Sequence, residues 1–506
     1  MSTERRASPA VPEADETNSV RSALRSGRRL RTEVLAGLVV ALALIPEAIA
    51  FSIIAGVDPR IGLFASFTMA VSIAFLGGRP AMISAATGAV ALVVAPLARE
   101  HGVDYLIAAV IVAGFLQVVL GVLGIAKIMR FIPRSVMVGF VNALAILIFL
   151  SQVPHLVGVP WAVYPLVAVG IALMVVLPRW TTVVPAPLVA IVLLTAATVL
   201  AAITVPTVGD EGALPDSLPQ LVLPNVPLTV ETLRIIAPFA LAVALVGILE
   251  SLLTAKLVDD VTDTHSNKTR EAWGQGAANI ITGFFGGMGG CAMIGQTMIN
   301  VKVSGARTRI STFLAGVFLL VLVVGLGDVV AIIPMAALVA VMIMVSVGTF
   351  DWHSVRPSTL RRMPRSETTV MVATVVVTVA THNLAYGVFV GVVVAMALFA
   401  RRVAHFTTVT RQDVVDTHDQ RVYAVEGELF FASSNDLVYQ FDYAGDPQDV
   451  VIDLTNAHVW DASTVATLDA ITTKYAAKGK KVTIVGLNPD SAERHERLGG
   501  HLGAGH

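Results

Sequence analysis

The twenty residues from Gly286 to Gly305, GGMGGCAMIGQTMINVKVSG, combine a glycine cluster with polar side chains inside an otherwise apolar region. Irregular backbone at membrane depth is stable only where protein buries it or where it lines a wet cavity. A short helix that begins there directs its free N–H groups and the positive end of its dipole into the cavity. The stretch therefore predicts an anion-binding site; the alternative is a glycine-rich loop that only packs two helices together.

The rest of the chain has the composition of a multi-pass membrane protein. Its 506 residues are 55% hydrophobic and 14% charged, and the mean hydropathy is +0.76. A formal charge of -1 argues against nucleic acid as a partner. The single cysteine, Cys291, excludes an internal disulfide and a cysteine-cluster metal site. We therefore expect a membrane protein that is not an enzyme, with no catalytic residues, metal or cofactor.

Apolar runs near the roughly 20 residues that cross a bilayer follow one another from about residue 32 to 405. Fourteen spanning or half-spanning segments are predicted at 33–54, 61–77, 81–98, 104–125, 132–153, 161–178, 183–204, 232–256, 271–286, 291–302, 307–326, 328–348, 366–382 and 384–405. With the N-terminus inside, most basic loop residues fall on the cytoplasmic side, while the long outer loop 205–231 has acidic residues and no lysine or arginine. This predicts a multi-pass protein of the plasma or inner membrane, with both termini cytoplasmic.

The acidic loop divides the segments into two sets of seven. An odd number in each set means that the second set crosses in the opposite sense, as in the inverted repeats of many secondary transporters. Such repeats bind substrate near the midplane, between broken helices at matching places in the two halves. Segments three (RPAMISAATGAVALVV, 79–94) and ten (CAMIGQTMINV, 291–301) are both short and interrupted by small polar residues. We expect backbone N–H groups near Thr87 to Ala89 and Gly295 to Thr297 to hold the anion.

Two carboxylates lie inside predicted spans, where ionisable groups are costly and are functional candidates by default. Glu47 follows Pro46, and Glu250 lies in segment eight. Neither has a lysine or arginine within a helical turn, so each needs a proton, a cation or a partner from elsewhere. For Glu250 the alternative is a helix end near water, because Lys256 is only two turns away. We expect one or both carboxylates to couple transport to protons, with sodium as the rival.

Three stretches resemble motifs of the SulP sulfate-permease family: PEAIAFSIIAGVDPRIGLFAS (46–66), ISAATGAVA (83–91) and GQTMINVKVSGARTR (295–309). The resemblance extends over about residues 30 to 500. It implies a polytopic α-helical membrane fold of fourteen segments in a seven-plus-seven inverted repeat, with a core domain (segments 1–4 and 8–11) and a gate domain (5–7 and 12–14). It also implies anion binding between segments three and ten, elevator-like alternating access, and a homodimer within membrane lipid.

On this resemblance, the substrate-binding residues are expected to be Glu47, Phe51, Thr87, Gly88, Ala89, Gly295, Gln296 and Thr297. The chain departs from the family at three places. Glu47 stands where many relatives have glutamine, Ala86 and Thr87 where many have Gly-Pro, and Gly295 and Gln296 where animal members have Ser-Arg. The pocket therefore lacks the family's arginine and gains a carboxylate. Two ionised carboxylates would repel an anion, which favours H⁺ symport over uncoupled exchange.

After Arg402 the composition changes to that of a small soluble α/β domain. We predict a β pair in RVYAVEGELFF (421–431), buried strands in VVIDLTNA (450–457) and KVTIVGL (481–487), and helices in SSNDLVYQF (433–441) and ASTVATLDAITTKYAAKG (462–479). The region resembles the STAS domain, best at 450–470. Regulatory STAS relatives carry a phosphorylated serine directly after the aspartate, whereas here Ala462 follows Asp461. A dimerisation or sensing role is therefore favoured.

The expected organisation is a disordered cytoplasmic tail (1–30), a transporter domain (31–405, with repeats 31–204 and 231–405) and a cytoplasmic STAS domain (406–506). The expected function is secondary active transport of a small anion, namely a sulfate-type oxyanion, bicarbonate or a dicarboxylate, with H⁺ as the coupling ion. Three alternatives stay open: Na⁺-coupled bicarbonate transport, a non-transporting sensor that signals through the STAS domain, and an anion channel.

Overall fold

The computed structural model describes residues 19–124, 127, 132–180, 185–404, 407–413 and 420–499. The chain divides into two compact units, with the boundary between Val392 and Val393. The first half of the larger unit contains α1 (Val20–Leu24), α2 (Gly27–Ala55), α3 (Pro59–Leu76), β1 (Ser84–Ala85), α4 (Gly88–His101), α5 (Val103–Val122), α6 (Arg134–Gln152), α7 (Val163–Val176) and α8 (Ala186–Leu200).

The second half follows the loop 201–229. It contains α9 (Val230–Thr262), α10 (Lys268–Phe284), β2 (Cys291–Ala292), α11 (Ile294–Met298) with a π turn after it, α12 (Arg309–Gly325), α13 (Gly327–Ala331), α14 (Met335–Thr349), α15 (Pro357–Arg362), α16 (Arg365–Thr381) and the first part of α17 (Leu384–Ala404), which continues into the smaller unit after Val392. Within the described residues, α2, α3, α5, α6, α9 and α17 are long and apolar enough to cross a bilayer. The fourteen predicted segments are confirmed, because each coincides with one of these helices, with a shorter helix, or with a strand and the helix after it.

The packing of these helices shows the inverted repeat. In the core domain α2 packs on α12 and, correspondingly, α9 packs on α5; α3 also packs on α12, as α10 does on α5. In the gate domain α6 packs on α16 and α14 packs on α7. The contacts form corresponding pairs: replacing both helices of one contact by their equivalents in the other repeat, seven segments away, gives the second contact of the pair. The two halves therefore bury equivalent faces against each other, as the core and gate division predicts.

The chain start differs from the expected disordered tail over the residues that the structure describes. Residues 20–24 form α1, and the Ser19 side chain caps this helix by accepting a hydrogen bond from the Ser22 N–H at 3.2 Å. The arginine-rich stretch that begins at Gly27 forms the first turns of α2. Arginine is a good helix former, so this stretch extends the membrane helix instead of joining the tail. The remainder of the predicted tail, residues 1–18, lies outside the described residues.

Strands β1 and β2 are two residues each and join the two repeats at the centre of the core domain. They pair antiparallel, with Ser84 opposite Ala292 and Ala85 opposite Cys291. The strands approach closely because Gly290 has no side chain, since a Cβ there would lie 2.0 Å from the Ala85 carbonyl oxygen. Each strand leads directly into a helix, α4 or α11, so the pairing fixes where the two helix starts lie.

Replacing Gly290 with alanine should destabilise the larger unit, because the new methyl group overlaps the Ala85 carbonyl. Overpacking of this kind costs about 1–3 kcal/mol, and thermal unfolding of the purified protein in detergent would show it as a lower midpoint. The matched control is Gly348→Ala, because a Cβ at Gly348 meets no heavy atom within 4 Å. Equal unfolding midpoints for the two variants would contradict the role of Gly290.

The smaller unit contains a four-stranded sheet in the order β3–β4–β5–β6, formed by β3 (Thr408–Asp413), β4 (Gln420–Leu429), β5 (Asp449–Val459) and β6 (Lys481–Val485). Strands β3 and β4 are antiparallel, and β4, β5 and β6 are parallel. The helices are α18 (Phe431–Leu437), α19 (Ala462–Ala476) and α20 (Pro489–Leu498). Buried residues of β5 and α19, among them Ile452 and Leu468, form the apolar core.

Three details of this unit correct the expectations. RVYAVEGELFF is not a β pair: it forms the single strand β4 and the start of α18, because residues 420–429 pair along their length with β5, with one register shift between Ala424 and Glu426. Strand β4 pairs with both β3 and β5, and β3 occupies part of the polar stretch from Arg411 to Gln420 that we expected to be a linker; residues 414–419 of that stretch lie outside the described ones. KVTIVGL provides β6, which is an edge strand with alternately exposed side chains and not a fully buried strand.

A buried carboxylate anchors one side of this core. Both Tyr423 and Tyr475 donate hydrogen bonds to Asp446 Oδ2, at 2.8 Å and 2.5 Å. Burial raises the pKa of Tyr443 to about 12, and burial together with the Asp446 carboxylate raises the pKa of Tyr475 above its usual value. These hydroxyls therefore remain protonated near neutral pH, and Tyr423 and Tyr475 remain able to donate to Asp446.

We predict that residues 407–499 fold without the membrane helices, since the sheet and its helices enclose their own core. A shorter fragment that starts at Gln420 should be less stable and more prone to aggregate, because loss of β3 exposes the unpaired edge of β4. Urea unfolding followed by circular dichroism would compare the two fragments. The full-length protein truncated near Ala404 should still insert into membranes, and failure to insert would contradict independent folding of the two parts.

Candidate functional site

A cavity of about 110 Å³ lies where α4 and α11 begin. Six of the residues expected from the sequence line it: Glu47, Phe51, Thr87, Gly88, Glu250 and Gly295. They come from α2, α4, α9 and α11 of the core domain and from the residue that precedes α4. The β1–β2 pair thus brings residues more than 200 positions apart to one small space.

The start of α4 presents free backbone donors at this cavity. Thr87 is the N-cap residue, and its Oγ1 accepts a hydrogen bond from the Val90 N–H at 3.4 Å. The N–H groups of Gly88 and Ala89 are left without acceptors inside the helix, as in the first turn of any α-helix. A Cβ at Gly88 would lie 2.9 Å from the Phe51 ring, so glycine allows the ring to approach the helix start.

The start of α11 also leaves backbone N–H groups free, but its N-cap residue, Met293, makes no side-chain hydrogen bond, and one position differs from the expectation. Ile294, Gly295 and Gln296 form its first turn, whereas the Thr297 N–H already donates to the Met293 carbonyl at 3.0 Å. The Thr297 hydroxyl accepts from the Ile83 N–H at 3.0 Å, and Thr297 is fully buried. Thr297 therefore links α11 to the residue that precedes β1 by a hydrogen bond, and its side chain does not face the cavity. Gly295 faces open space, since no heavy atom lies within 4 Å of a Cβ built there.

Glu47 and Glu250 enter the cavity from different helices. The Glu47 side chain lies close to that of Gln296, whose Oε1 is buried without a partner among the described residues. Glu250 is 7% exposed and accepts a hydrogen bond from the Cys291 Sγ–H at 2.8 Å. Within the described part of the chain, no lysine or arginine lines the cavity. Among the described residues that line the cavity, Glu47 and Glu250 therefore have no basic side chain beside them.

Ala89 and Gln296 do not line the cavity with their side chains. Ala89 is fully buried, and it can contribute to the site only through its backbone N–H. Gln296 is 2% exposed and lies behind Glu47. In the described ranges, no group of three or more histidine, cysteine, aspartate or glutamate side chains is arranged to hold a metal ion.

The opposite wall of the cavity was not predicted from the sequence. It is formed by gate-domain helices α6 and α14 through Phe140, Val141, Leu144, Ile148, Val345 and Thr349. All of these side chains except Thr349 are apolar, so they look like any lipid-facing or packing residue of a membrane helix. Only the position of α6 and α14 in the gate domain could have indicated that these residues line the cavity.

Polar side chains hold the core helices around the site. The Asn279 Nδ2 donates to Gln117 Oε1 at 2.8 Å and to the Gly290 carbonyl at 3.0 Å, while the Gly290 N–H donates to Asn279 Oδ1 at 2.9 Å. The Ala292 N–H donates to Ser251 Oγ at 3.1 Å. Strand β2 is therefore fixed to α9 and α10, which positions the start of α11.

Comparison with known proteins agrees with this architecture. Residues 30–175 and 162–374 match the model of the sulfate permease family, and residues 408–501 match the STAS domain. The chain therefore belongs to the sulfate permease family of membrane anion transporters, and the resemblance read from the three motifs is confirmed.

YbaR of Bacillus subtilis (strain 168), named as a candidate sulfate transporter, is 53% identical over 462 residues, which cover 91% of this chain and 95% of YbaR. The bicarbonate transporter BicA of Picosynechococcus sp. is 26% identical over 525 residues, which cover 93% of this chain and 91% of BicA. The fold matches the inward-facing structure of the murine anion transporter Slc26a9 with a TM-score of 0.80 at 16% identity, covering 98% of this chain and 92% of that one.

Proposed function

We propose that this protein is a secondary active transporter that carries a small anion together with H⁺. We further propose that the cavity between α4 and α11 is its substrate site. The observation that carries the proposal is the joint placement of both helix starts and both membrane carboxylates on one cavity of about 110 Å³. The free N–H groups at the helix starts supply a positive field without any basic side chain. The carboxylates supply a place for the coupling ion.

The cavity and its donors fit a sulfate-type oxyanion, bicarbonate or a short dicarboxylate. Backbone N–H groups bind such anions through charge-assisted hydrogen bonds. Two ionised carboxylates at the same site would oppose the anion, so the substrate and a proton bind together to give a load of lower net charge. We assign Glu47 and Glu250 to this coupling step.

The two walls of the cavity support an elevator-like movement of the core domain. The polar groups that can contact an anion come from the core helices, whereas the gate wall offers only the Thr349 hydroxyl among its lining side chains. An anion bound to the core therefore keeps its hydrogen bonds when the core slides along an apolar gate surface. Rocking of the gate around a fixed site would not need this division of polar and apolar walls.

We further propose that the basic end of the core domain is cytoplasmic. Arg79 and Lys268 both contact Asp259, and the Arg309 guanidinium donates to the Gly77 carbonyl at 2.7 Å, so these basic residues lie at one end. The acidic loop lies at the other end, where the Val222 N–H donates to the Phe284 carbonyl at 2.7 Å. By the positive-inside rule, the N-terminal region and the STAS domain are then cytoplasmic. As a separate point, we propose that the protein assembles as a homodimer.

Sodium-coupled bicarbonate transport is the second candidate, because BicA is named a bicarbonate transporter and aligns along most of this chain. A carboxylate beside irregular backbone carbonyls is also a cation site. Anion uptake measured under a sodium gradient and under a proton gradient of equal size distinguishes the two functions. Na⁺-coupled transport requires only the sodium gradient, and H⁺-coupled transport requires only the proton gradient.

Uptake of labelled anions into proteoliposomes tests the function itself. A transporter accumulates the anion against its own gradient, a channel gives flux without accumulation, and a sensor gives no flux. Competition by unlabelled sulfate, bicarbonate and dicarboxylates would then define the substrate. Absence of uptake for the whole panel, in vesicles with folded protein, would overturn the proposal.

A further inference from the structure

The only cysteine of the chain lies between the coupling carboxylate and an anion-binding helix start. Cys291 is fully buried on β2. Its Sγ donates to Glu250 Oε2 at 2.8 Å and lies 3.1 Å from Thr87 Oγ1. Thr87 Oγ1 in turn accepts from the Val90 N–H in the first turn of α4. A continuous row of hydrogen bonds therefore runs from Glu250 through Cys291 and Thr87 to α4.

The backbone holds the thiol in this position. Cys291 pairs with Ala85 across the two short strands, and the next residue, Ala292, donates its N–H to Ser251 Oγ on α9. The carboxylate and the strand are thus attached to the same helix, α9, through Glu250 and Ser251. Packing alone would be satisfied by any small apolar side chain at position 291, but an apolar side chain could not donate to Glu250.

We propose that Cys291 is a positioning residue that aims the Glu250 carboxylate and transmits its protonation state to the start of α4; this rests on the proposed function. While Glu250 is ionised, the thiol donates to it and Thr87 donates to the sulfur. When Glu250 takes up one proton from the acidic solution that drives transport, its own hydroxyl donates to the sulfur and the thiol turns to donate to Thr87. Only hydrogen bonds reverse, and the thiol keeps its proton throughout.

Among the described groups around Glu250, the hydrogen bonds through Cys291 and Thr87 form the direct link to α4. The titratable groups that face Glu250 in the described residues are Cys291 from β2 and, across the cavity, Glu47 from α2. Helix α5 contributes the uncharged Gln117 amide, which donates to the Ala244 carbonyl of α9 at 3.4 Å. A change at Glu250 therefore reaches the anion-binding end of α4 through sulfur, or else through the field of the charge alone.

Three variants separate this role from simple packing. Cys291→Ala removes the donor, Cys291→Ser restores a group that donates and accepts, and Ser251→Ala breaks a neighbouring bond of β2 without touching Glu250. In proteoliposomes, Cys291→Ala should move the pH midpoint of anion uptake upward by about one unit, since an ionised Glu250 loses a stabilising donor. Cys291→Ser should return the midpoint to within a few tenths of a unit of the parent, whereas Ser251→Ala, which only loosens β2, should lower the stability and move the midpoint less than Cys291→Ala does.

The S–H stretching band supplies a readout that packing would not move. Because the parent protein has one thiol, its infrared spectrum contains one such band, which reports the acceptor of the Cys291 S–H. The band should shift with pH in step with uptake, and Glu250→Gln should remove that pH dependence. A band that ignores both pH and Glu250→Gln, or a Cys291→Ala midpoint equal to that of the parent, would overturn the inference. Failure of the parent to accumulate any anion would instead overturn the proposed function.

Discussion

Replacing Glu250 with glutamine should abolish accumulation of the anion under an inward proton gradient while leaving anion binding intact. Glutamine keeps the size of the side chain and can still accept from Cys291, but it cannot take up a proton. The corresponding change at Glu47 should have the same effect if that carboxylate also carries a proton, because both line the same cavity. The measurement is uptake of labelled anion by proteoliposomes with an acidic exterior, compared with equilibrium binding in detergent.

The matched control for this prediction is Glu33→Gln. Glu33 is a buried carboxylate of the same helix as Glu47, but it caps α12 by accepting from the N–H groups of Arg307 and Thr308 at 2.8 Å and 3.0 Å. Its replacement should lower stability and leave the dependence of uptake on the proton gradient in place. Proton-driven accumulation in both Glu250→Gln and Glu47→Gln at the level of the parent would refute coupling through these carboxylates.

Replacing Gly295 with leucine should weaken anion binding by one to two orders of magnitude with little loss of stability. A Cβ at this position meets no heavy atom within 4 Å, and Gly295 lines the cavity, so the leucine side chain extends into the space where the anion would bind. It would cover the donors of the first turn of α11, and the loss of one hydrogen bond to a charged group, about 1.5–3 kcal/mol, corresponds to roughly 10- to 100-fold weaker binding. Titration of the purified variant with sulfate or bicarbonate gives the dissociation constant.

Gly325→Leu provides the comparison for Gly295→Leu. Gly325 ends α12 and also has no heavy atom within 4 Å of a built Cβ, but it lies outside the cavity lining. Both variants should unfold at nearly the same temperature as the parent, and only Gly295→Leu should lose affinity. Parental affinity in Gly295→Leu would show that the anion does not use the start of α11.

The membrane fold could be predicted from the sequence because few backbone structures can cross a bilayer. Each crossing needs a long apolar helix, so the fourteen segments can be read from hydropathy, and a polar glycine-rich interruption such as 286–305 marks broken helices. Glu47 and Glu250 were found for the same reason, since an ionisable side chain in an apolar run is conspicuous. Six predicted residues meet at one cavity because the inverted repeat relates segment three to segment ten.

The residues that escaped prediction lack such a signal. Phe140 and Ile148 of the gate wall are apolar in an apolar helix, and Cys291 is indistinguishable in sequence from a small packing residue. Thr297 was expected at the anion, but only the strand pairing shows that its hydroxyl is engaged by Ile83. Strand β3 has a polar sequence, TVTRQD, and forms because its backbone pairs with β4 at the sheet edge. In each case the deciding partner is distant along the chain.

Concentrative uptake under an imposed proton gradient is the decisive test of proton-coupled anion transport by this protein. Proteoliposomes containing the parent protein, loaded at neutral pH and diluted into acidic buffer without sodium, should accumulate labelled anion above the external concentration. Accumulation should collapse when a protonophore dissipates the gradient. Uptake that merely equilibrates, or that requires sodium and ignores the proton gradient, would contradict proton-coupled transport through this cavity.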